Sequence, residues 1–299
     1  MPELPDIEAY IKALESRVLN QPITEIRLSS PFLLRSVDPP LREASEKTVI
    51  GLRRLGKRIV FVLEEELFLV IHLMIAGRFH WKEKQPKPNR LTLAAFVFPS
   101  GTLLLTEAGS KKRAAMHLVR GESGLAAHDP GGLEVLDADF KSFEARLTRE
   151  NHTLKRSLTD PHFFSGIGNA YSDEILHAAG LSPLKLTSRL DETEKRRLFE
   201  ATQATLKLWS EKLCEEATRD FPEKVTAFRK EMSVHGRYDK PCPKCGTPVQ
   251  RIVYAANEAN YCPTCQTGGR LLADRALSRL LKEDWPRTLE ELEQRRSDG

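Results

Sequence analysis

Apolar side chains in the first twenty residues recur at helical spacing. Ile7, Tyr10, Ile11, Leu14 and Val18 fall on one face of a helix predicted over residues 6–19, with Asp6 and Glu8 at its positive N-terminal end. From about Ile23 to Val119 the period shortens toward two. Strands are predicted around 23–28, 49–55, 58–63, 67–73, 91–98 and 102–106, with breaks at Gly51, at Glu64-Glu65-Glu66 and in the KQPKPN loop. Many short strands with tight connections predict a β-sandwich or barrel with flanking helices. At His128-Asp-Pro-Gly-Gly132 the spacing turns helical again, and helices are predicted within 139–150, 153–159, 170–179, 191–214 and 222–231. A further helix over 271–285 would run through Leu271, Leu272, Ala276, Leu280 and Leu281. The chain thus reads as multidomain α and β: a sandwich over 1–131, a helical part over 132–237, a cysteine-bearing segment over 238–270 and an extension over 271–299.

Composition narrows the function classes. Forty per cent apolar and 29% charged residues exclude a fibrous or wholly disordered chain. No run approaches the ~18 apolar residues of a membrane span. The opening MPELPDIEAY carries acids where a signal peptide would be basic and then apolar, so a cytoplasmic protein is expected. Lysine and arginine exceed aspartate and glutamate by 46 − 42 = 4, only mildly basic. Their placement says more than their sum. Arg53, Arg54, Lys57 and Arg58 form one group and Lys111, Lys112 and Arg113 another. Charge runs usually make solvated faces, but these interrupt predicted strands and would gather positive potential at one rim, as a polyanion requires.

Three motifs could carry chemistry. Cys242-Pro-Lys-Cys245 and Cys262-Pro-Thr-Cys265 are 16 residues apart, the spacing of a four-cysteine zinc ribbon or hairpin. Two disulfides or a redox dithiol are the alternatives; a reducing compartment disfavours the first and two matched pairs the second. Zinc held by four cysteines would be structural, with no position open for water. Cys214 reads as a small buried side chain. Pro2 follows the initiator Met, and Met removal would expose a secondary amine that titrates near ~8 and can attack a carbonyl-like carbon such as sugar C1′. Glu3 beside it could move the proton such a step requires. Finally, Gly166-Ile-Gly168 leads into a helix starting near Asn169 and stopping at Gly180. Glycines before a helix N-terminus let backbone N–H groups approach a phosphate, and Asn169 can cap the helix while offering its amide to the same anion. An ordinary helix-turn-helix corner is the alternative.

MPELPDIE at the N-terminus, LGKR at 55–58, HL at 72–73, GIGNAYSDEIL at 166–176 and the paired cysteines together resemble the formamidopyrimidine-DNA glycosylase and endonuclease VIII family, in the family's order from Met1 to about Gln266. The resemblance implies a catalytic N-terminal β-sandwich, a helix-two-turn-helix domain and a zinc finger. It implies a monomer acting on damaged double- or single-stranded DNA, with one structural Zn2+. The family flips out a damaged base, displaces it with the proline amine and cuts the strand by β- or β,δ-elimination. Carried over, Pro2 is the nucleophile, Glu3 the acid/base and Lys57 the holder of the phosphate beside the lesion. His72, Lys111, Arg113, Lys155 and Asn169 are DNA contacts, and Cys242, Cys245, Cys262 and Cys265 the metal ligands.

The departures from the family pattern are specific. Asp6 stands where the family often has Glu. Asn257 stands where its finger has an arginine five residues before the third cysteine, removing a charge-assisted phosphate contact that Arg251 or Arg270 could replace. Met74-Ile75 replaces the Gly-Met whose Met helps fill the vacated base position, and Arg113 replaces the wedging aromatic. With Pro2, Glu3 and Lys57 intact, an active glycosylase/lyase is expected, its choice shifted toward single-stranded, bubble or bulky lesions. A catalytically reduced DNA-binding protein on the same scaffold is the alternative, and a zinc-ribbon protein meeting a protein or RNA partner is a third.

Overall fold

A computed structural model describes residues 1–84, 86, 89–254, 257–273 and 286–297. The helix predicted over 271–285 therefore falls almost wholly outside the described residues. The chain forms two units: Met1–Gly132 with Lys207–Thr226, and Leu133–Leu206 with Ala227–Gly299. Among the described residues no helix is long and apolar enough to cross a membrane.

The first unit is a β-sandwich behind one helix. Helix α1 (Leu4–Val18) buries Ile7, Tyr10, Ile11, Leu14 and Val18, the face its spacing predicts. One sheet has the order β2 (Val49–Leu55), β3 (Arg58–Leu63), β4 (Leu67–His72) and β8 (Ala115–Arg120). The other has the order β1 (Glu25–Leu28), β6 (Thr92–Phe98), β7 (Gly101–Glu107) and β5 (Gly77–Lys82). Every ladder is antiparallel. Period-two alternation sends Ile59, Phe61, Leu69 and Ile71 into the shared core with Phe96, Leu103 and Leu105, and Phe61 stacks on Phe96 with centroids 6.4 Å apart. Val60, Val62, Phe68 and Val70 face the other way, onto Leu125 of the short helix α2 (Gly121–Ala126).

Strands β5 and β8 lie outside the predicted set. Both are edge strands, and an edge strand needs only one apolar face and can carry polar side chains on the other. GRFHWK buries Gly77 and Phe79 but interleaves Arg78 and His80, which blunts the pattern.

The second unit is helical: α3 (Phe140–Leu147), α4 (Leu154–Thr159), α5 (Asn169–Ala179) and the first part of α6 (Glu192–Arg219). A hairpin of β9 (Gln250–Tyr254) and β10 (Asn257–Tyr261) follows, then α7 (Pro263–Thr267). The helix predicted over 222–231 is absent; the segment forms turns. Val225 and Phe228 stand three residues apart, the spacing of one helical face, but they are not buried together. Val225 is buried in the core of the first unit and Met232 in the second, with exposed Phe228 between them, so the stretch is a connection rather than an element.

Candidate active site

The N-terminus is built into the first unit. Glu3 caps α1 through a reciprocal pair: its side chain accepts from the Asp6 backbone N–H, and its own N–H donates to Asp6 Oδ2 at 3.0 Å. Pro5 lies in the first turn, where no intrahelical donor is needed. Glu3 and Asp6 are 3% and 2% exposed, so two carboxylates stand buried beside Pro2. The shorter Asp6 thus reaches its neighbour's backbone, and its role is to hold Glu3 in place.

Positive groups face this terminus. Lys57 sits in the two-residue turn Gly56-Lys57 between β2 and β3, where Gly56 takes φ +61°. Arg54 fixes the turn, donating to Glu8 of α1 at 2.7 Å and to the Gly56 carbonyl at 3.1 Å. Arg78 of β5 donates to the carbonyls of Ile75 and Gly77 at 3.1 and 2.6 Å. Tyr10 of α1 ties in β5 by accepting from the Phe79 N–H at 3.3 Å. The terminal amine, that of Met1 in this chain, is held below its usual value, first by burial and further by Arg78 and Lys57, against the opposing Glu3 and Asp6.

His72 ends β4 opposite Arg58. Its Nδ1 accepts from the Met74 N–H at 3.1 Å, which leaves the proton on Nε2. Burial, reinforced by Arg58 and Lys57, pulls its pKa down to about 4, so it is a neutral N–H donor at pH 7. The turn after it is tight: a Cβ on Gly77 would lie 2.2 Å from the Leu73 carbonyl oxygen. Met74 takes φ +54°, a conformation that favours glycine, and Ile75 is 58% exposed at the tip.

Lys111 and Arg113 lie on the exposed loop between β7 and β8, organised by Glu107, itself 1% exposed. The Glu107 carboxylate accepts from the N–H groups of Arg113 at 2.9 and 3.0 Å and of Ala114 at 3.2 Å, and Lys112 donates to the Glu107 carbonyl. Glu107→Gln replaces one acceptor oxygen by a donor and should cost about 1–3 kcal/mol. It should also release the Arg113 loop. Thermal unfolding, with a midpoint expected to fall, checks this.

In the second unit Asn169 is the first residue of α5, half-buried, and Gly168 rather than Asn169 is the cap. Lys155 of α4, 4% exposed, donates to the Asn169 carbonyl at 2.6 Å and to Asp173 Oδ1 at 2.5 Å. Its ammonium is therefore turned inward, where it holds the first turn of α5. Asp173, fully buried, also accepts from His235 Nδ1 at 2.8 Å and from Asn260 of β10 at 3.1 Å. Glu174 accepts from the N–H groups of Ser233, Val234 and His235 at 2.7, 2.9 and 2.9 Å. Adjacent acids on α5 thus stitch α4, the 233–235 turn and the hairpin together.

The Sγ atoms of Cys242, Cys245, Cys262 and Cys265 all lie within 4.8 Å of one another, with Cys245 and Cys262 at 3.4 Å and Cys242 and Cys265 at 4.0 Å. Tetrahedral Zn–S bonds of about 2.3 Å set sulfurs roughly 3.8 Å apart, so the cluster fits the metal. His177 of α5 meets Cys242 Sγ through Nε2 at 3.2 Å, and the Gln266 side chain bridges the Cys262 N–H at 2.8 Å and the Leu181 carbonyl at 2.9 Å.

Family models match in this order: the formamidopyrimidine-DNA glycosylase N-terminal domain over residues 1–112, the formamidopyrimidine-DNA glycosylase H2TH domain over 131–212, and the zinc finger found in FPG and IleRS over 239–268. The formamidopyrimidine-DNA glycosylase of Thermus thermophilus is 32% identical over 277 residues, covering 90% of this chain and 100% of that protein. The chain belongs to the formamidopyrimidine-DNA glycosylase family. The enzyme of the same name from Pelotomaculum thermopropionicum is 30% identical over 277 residues, covering 89% of this chain and 99% of that protein. Among solved structures, MutM (Fpg) from Thermus thermophilus superposes with a TM-score of 0.75 at 30% identity, covering 89% of this chain and 98% of that one. A Lactococcus lactis Fpg mutant in complex with Fapy-dG containing DNA superposes with a TM-score of 0.78 at 25% identity, covering 89% and 100%.

Within this family's architecture the four cysteines form the finger's structural zinc site, closed to water by its four thiolates. Sequence reasoning missed Arg78, Glu107, Asp173, His235 and Asn260. Arg78 had a local signal, a basic residue directly after HLMIAG, but nothing along the chain points Asn260 at Asp173, 87 positions away.

Proposed function

We propose that the chain is a bifunctional DNA glycosylase and AP lyase acting through the Pro2 amine. One observation carries the reading: Pro2 is buried beside a fixed pair of carboxylates, Glu3 and Asp6, with Lys57 and Arg78 acting electrostatically on the terminus. Once Met1 is removed, the secondary amine attacks C1′ of a flipped-out nucleotide and the C1′–N bond to the damaged base breaks. The base takes up the proton that balances its leaving electron pair. Glu3 protonates the sugar O4′ as the ring opens, giving an iminium between the Pro2 nitrogen and C1′. Loss of a C2′ proton then expels the 3′ phosphate, and water returns the amine. Lys57 holds a phosphate beside the lesion, His72 donates a neutral N–H to another, and Asn169 clamps the backbone from the start of α5, kept in place by Lys155. The related Lactococcus lactis Fpg, solved with Fapy-dG containing DNA, supports DNA as the partner. The lost finger arginine and the changed wedge support a preference for single-stranded, bubble or bulky lesions over a standard oxidised purine opposite cytosine. Borohydride trapping across a lesion panel in single- and double-stranded DNA tests the proposal. A covalent complex with at least one lesion or abasic strand is expected, and none with any would sink it.

Two further results are expected. Burial and the flanking cations lower the amine of Met1, and the Pro2 amine, once freed among the same groups, should be shifted in the same direction and be more largely free base at neutral pH. The acid limb of adduct formation on abasic DNA should reach half its height below the ~8 of an ordinary α-amine; a midpoint at or above that value would contradict it. Ile75, exposed at the turn tip, takes the place of the family's space-filling Met, with Met74 in the glycine-like conformation before it. Ile75→Ala should slow excision of an intact damaged base by about tenfold, the cost of ~1.4 kcal/mol of lost apolar contact, and leave cleavage of a preformed abasic site nearly unchanged.

A further inference from the structure

The alternation that fills the sandwich core also fixes the opposite face of the same sheet. Since Ile59 and Phe61 of β3, Leu69 and Ile71 of β4, and Met116 and Leu118 of β8 point into the core, Arg58, His72 and His117 share the outer face. Register places Arg58 opposite His72, and His117 opposite Val70, diagonal to His72. His128, just beyond α2, lays its ring on His117 with centroids 4.4 Å apart and planes at 50°. The apolar patch of Val60, Val70 and Leu125 therefore ends in a cluster of one guanidinium and three imidazoles, all half-buried.

The charge and donor balance of this cluster suits an anion. No carboxylate among the described residues ion-pairs with Arg58; Asp129 reaches it only electrostatically, and its Oδ1 accepts from the Gly131 N–H at 2.8 Å. Burial lowers the titration of His72, His117 and His128, and Arg58 pushes each the same way; His117 also feels His128 and Arg35. At neutral pH the imidazoles are thus uncharged N–H donors around a cation with five donors of its own. A carboxylate-free arginine beside such donors is a half-built site for an acceptor-only, singly charged group with several oxygens.

We propose that Arg58, His117 and His128 bind one phosphodiester of the DNA strand, additional to those held by Lys57, His72 and Asn169. The assignment rests on the DNA-binding part of the proposed function, and it extends the phosphate track across the outer face of the β2-β3-β4-β8 sheet. Free inorganic phosphate has the same chemistry, and the test separates the two.

The test is fluorescence anisotropy of the full-length, zinc-loaded protein on a duplex with a tetrahydrofuran abasic analogue, its linkages replaced one at a time by neutral methylphosphonate. Wild type should lose affinity at one linkage to which Arg58→Gln is indifferent. On unmodified DNA, Arg58→Gln should bind about tenfold more weakly. The slope of log affinity against log salt should be smaller by roughly one phosphate's worth, ~0.9. The His117→Ala/His128→Ala double variant should weaken binding severalfold at the same linkage, and Arg58→Lys, which keeps the charge without the fork, should fall between wild type and Arg58→Gln. Unchanged near-ultraviolet circular dichroism shows that each variant is folded. The proposal is overturned if Arg58→Gln and wild type respond alike at every linkage, or if Arg58→Gln alters inorganic-phosphate binding by 31P NMR while leaving the DNA pattern intact. Borohydride trapping of the wild type, run alongside, reports on the lyase reading separately: its failure would fault that chemistry and leave the phosphate assignment standing.

Discussion

Blocking the Pro2 amine by fusing two residues ahead of it should abolish borohydride trapping and strand cleavage while leaving DNA affinity within about threefold. A covalent route through C1′ has no substitute once the nucleophile is acylated, and losing the covalent step should cost at least ~10^3-fold in rate, the equivalent of about 4 kcal/mol in the barrier. Pro2→Gly is the milder variant. If Met1 is removed, it leaves a primary amine whose imine must be protonated before it can act as an electron sink, whereas the proline iminium is cationic as formed. Glycine also lacks the ring that fixes φ ahead of the Glu3 cap. Activity should fall steeply for Pro2→Gly and to background for the blocked form. Because Glu3 and Asp6 hold each other through α1 and not through Pro2, both forms should keep their fold by circular dichroism.

Asp173→Asn should be the most destabilising single change in the second unit. The carboxylate is fully buried and receives Lys155, His235 and Asn260, so neutralising it strands a buried ammonium that is 4% exposed. Breaking a buried pair from one side costs about 3–5 kcal/mol, whereas replacing both partners by apolar groups can be close to neutral. Asp173→Asn should therefore lower the unfolding midpoint strongly, and Lys155→Met added to it should recover much of that loss. DNA affinity should not recover, since the double variant still lacks the donor that holds the Asn169 carbonyl. Stability rescued without binding rescued would mark Lys155 as a positioning residue for Asn169. Rescue of both would leave it a purely structural one.

What the sequence displays depends on how far its signal travels. The paired cysteines, the glycine-led start of α5 and the buried face of α1 are local patterns, and each reappears in the fold at its predicted place. Central strands were legible because both faces, or one strongly apolar face, enforce the period. The edge strands β5 and β8 were not, because Arg78, His80 and His117 occupy their outward positions. Motif membership marked Lys155 as a contributor but not which way its ammonium points. That depends on Asp173, 18 residues on, offering a carboxylate inside the helix pair. Glu107 lies one residue past the strand predicted over 102–106 and gave no signal of its own, yet its carboxylate shapes the basic loop through three backbone hydrogen bonds. The segment 222–231 misled because Val225 and Phe228 keep helical spacing, yet Val225 joins the core of the first unit while Phe228 is exposed.

The most direct test of the central claim is mass spectrometry of the peptide carrying the sugar adduct after borohydride trapping and digestion. The expected product is a chain lacking Met1 with the reduced sugar on the Pro2 nitrogen. An adduct on a lysine, Lys57 included, or a trapped chain that retains Met1 would contradict it.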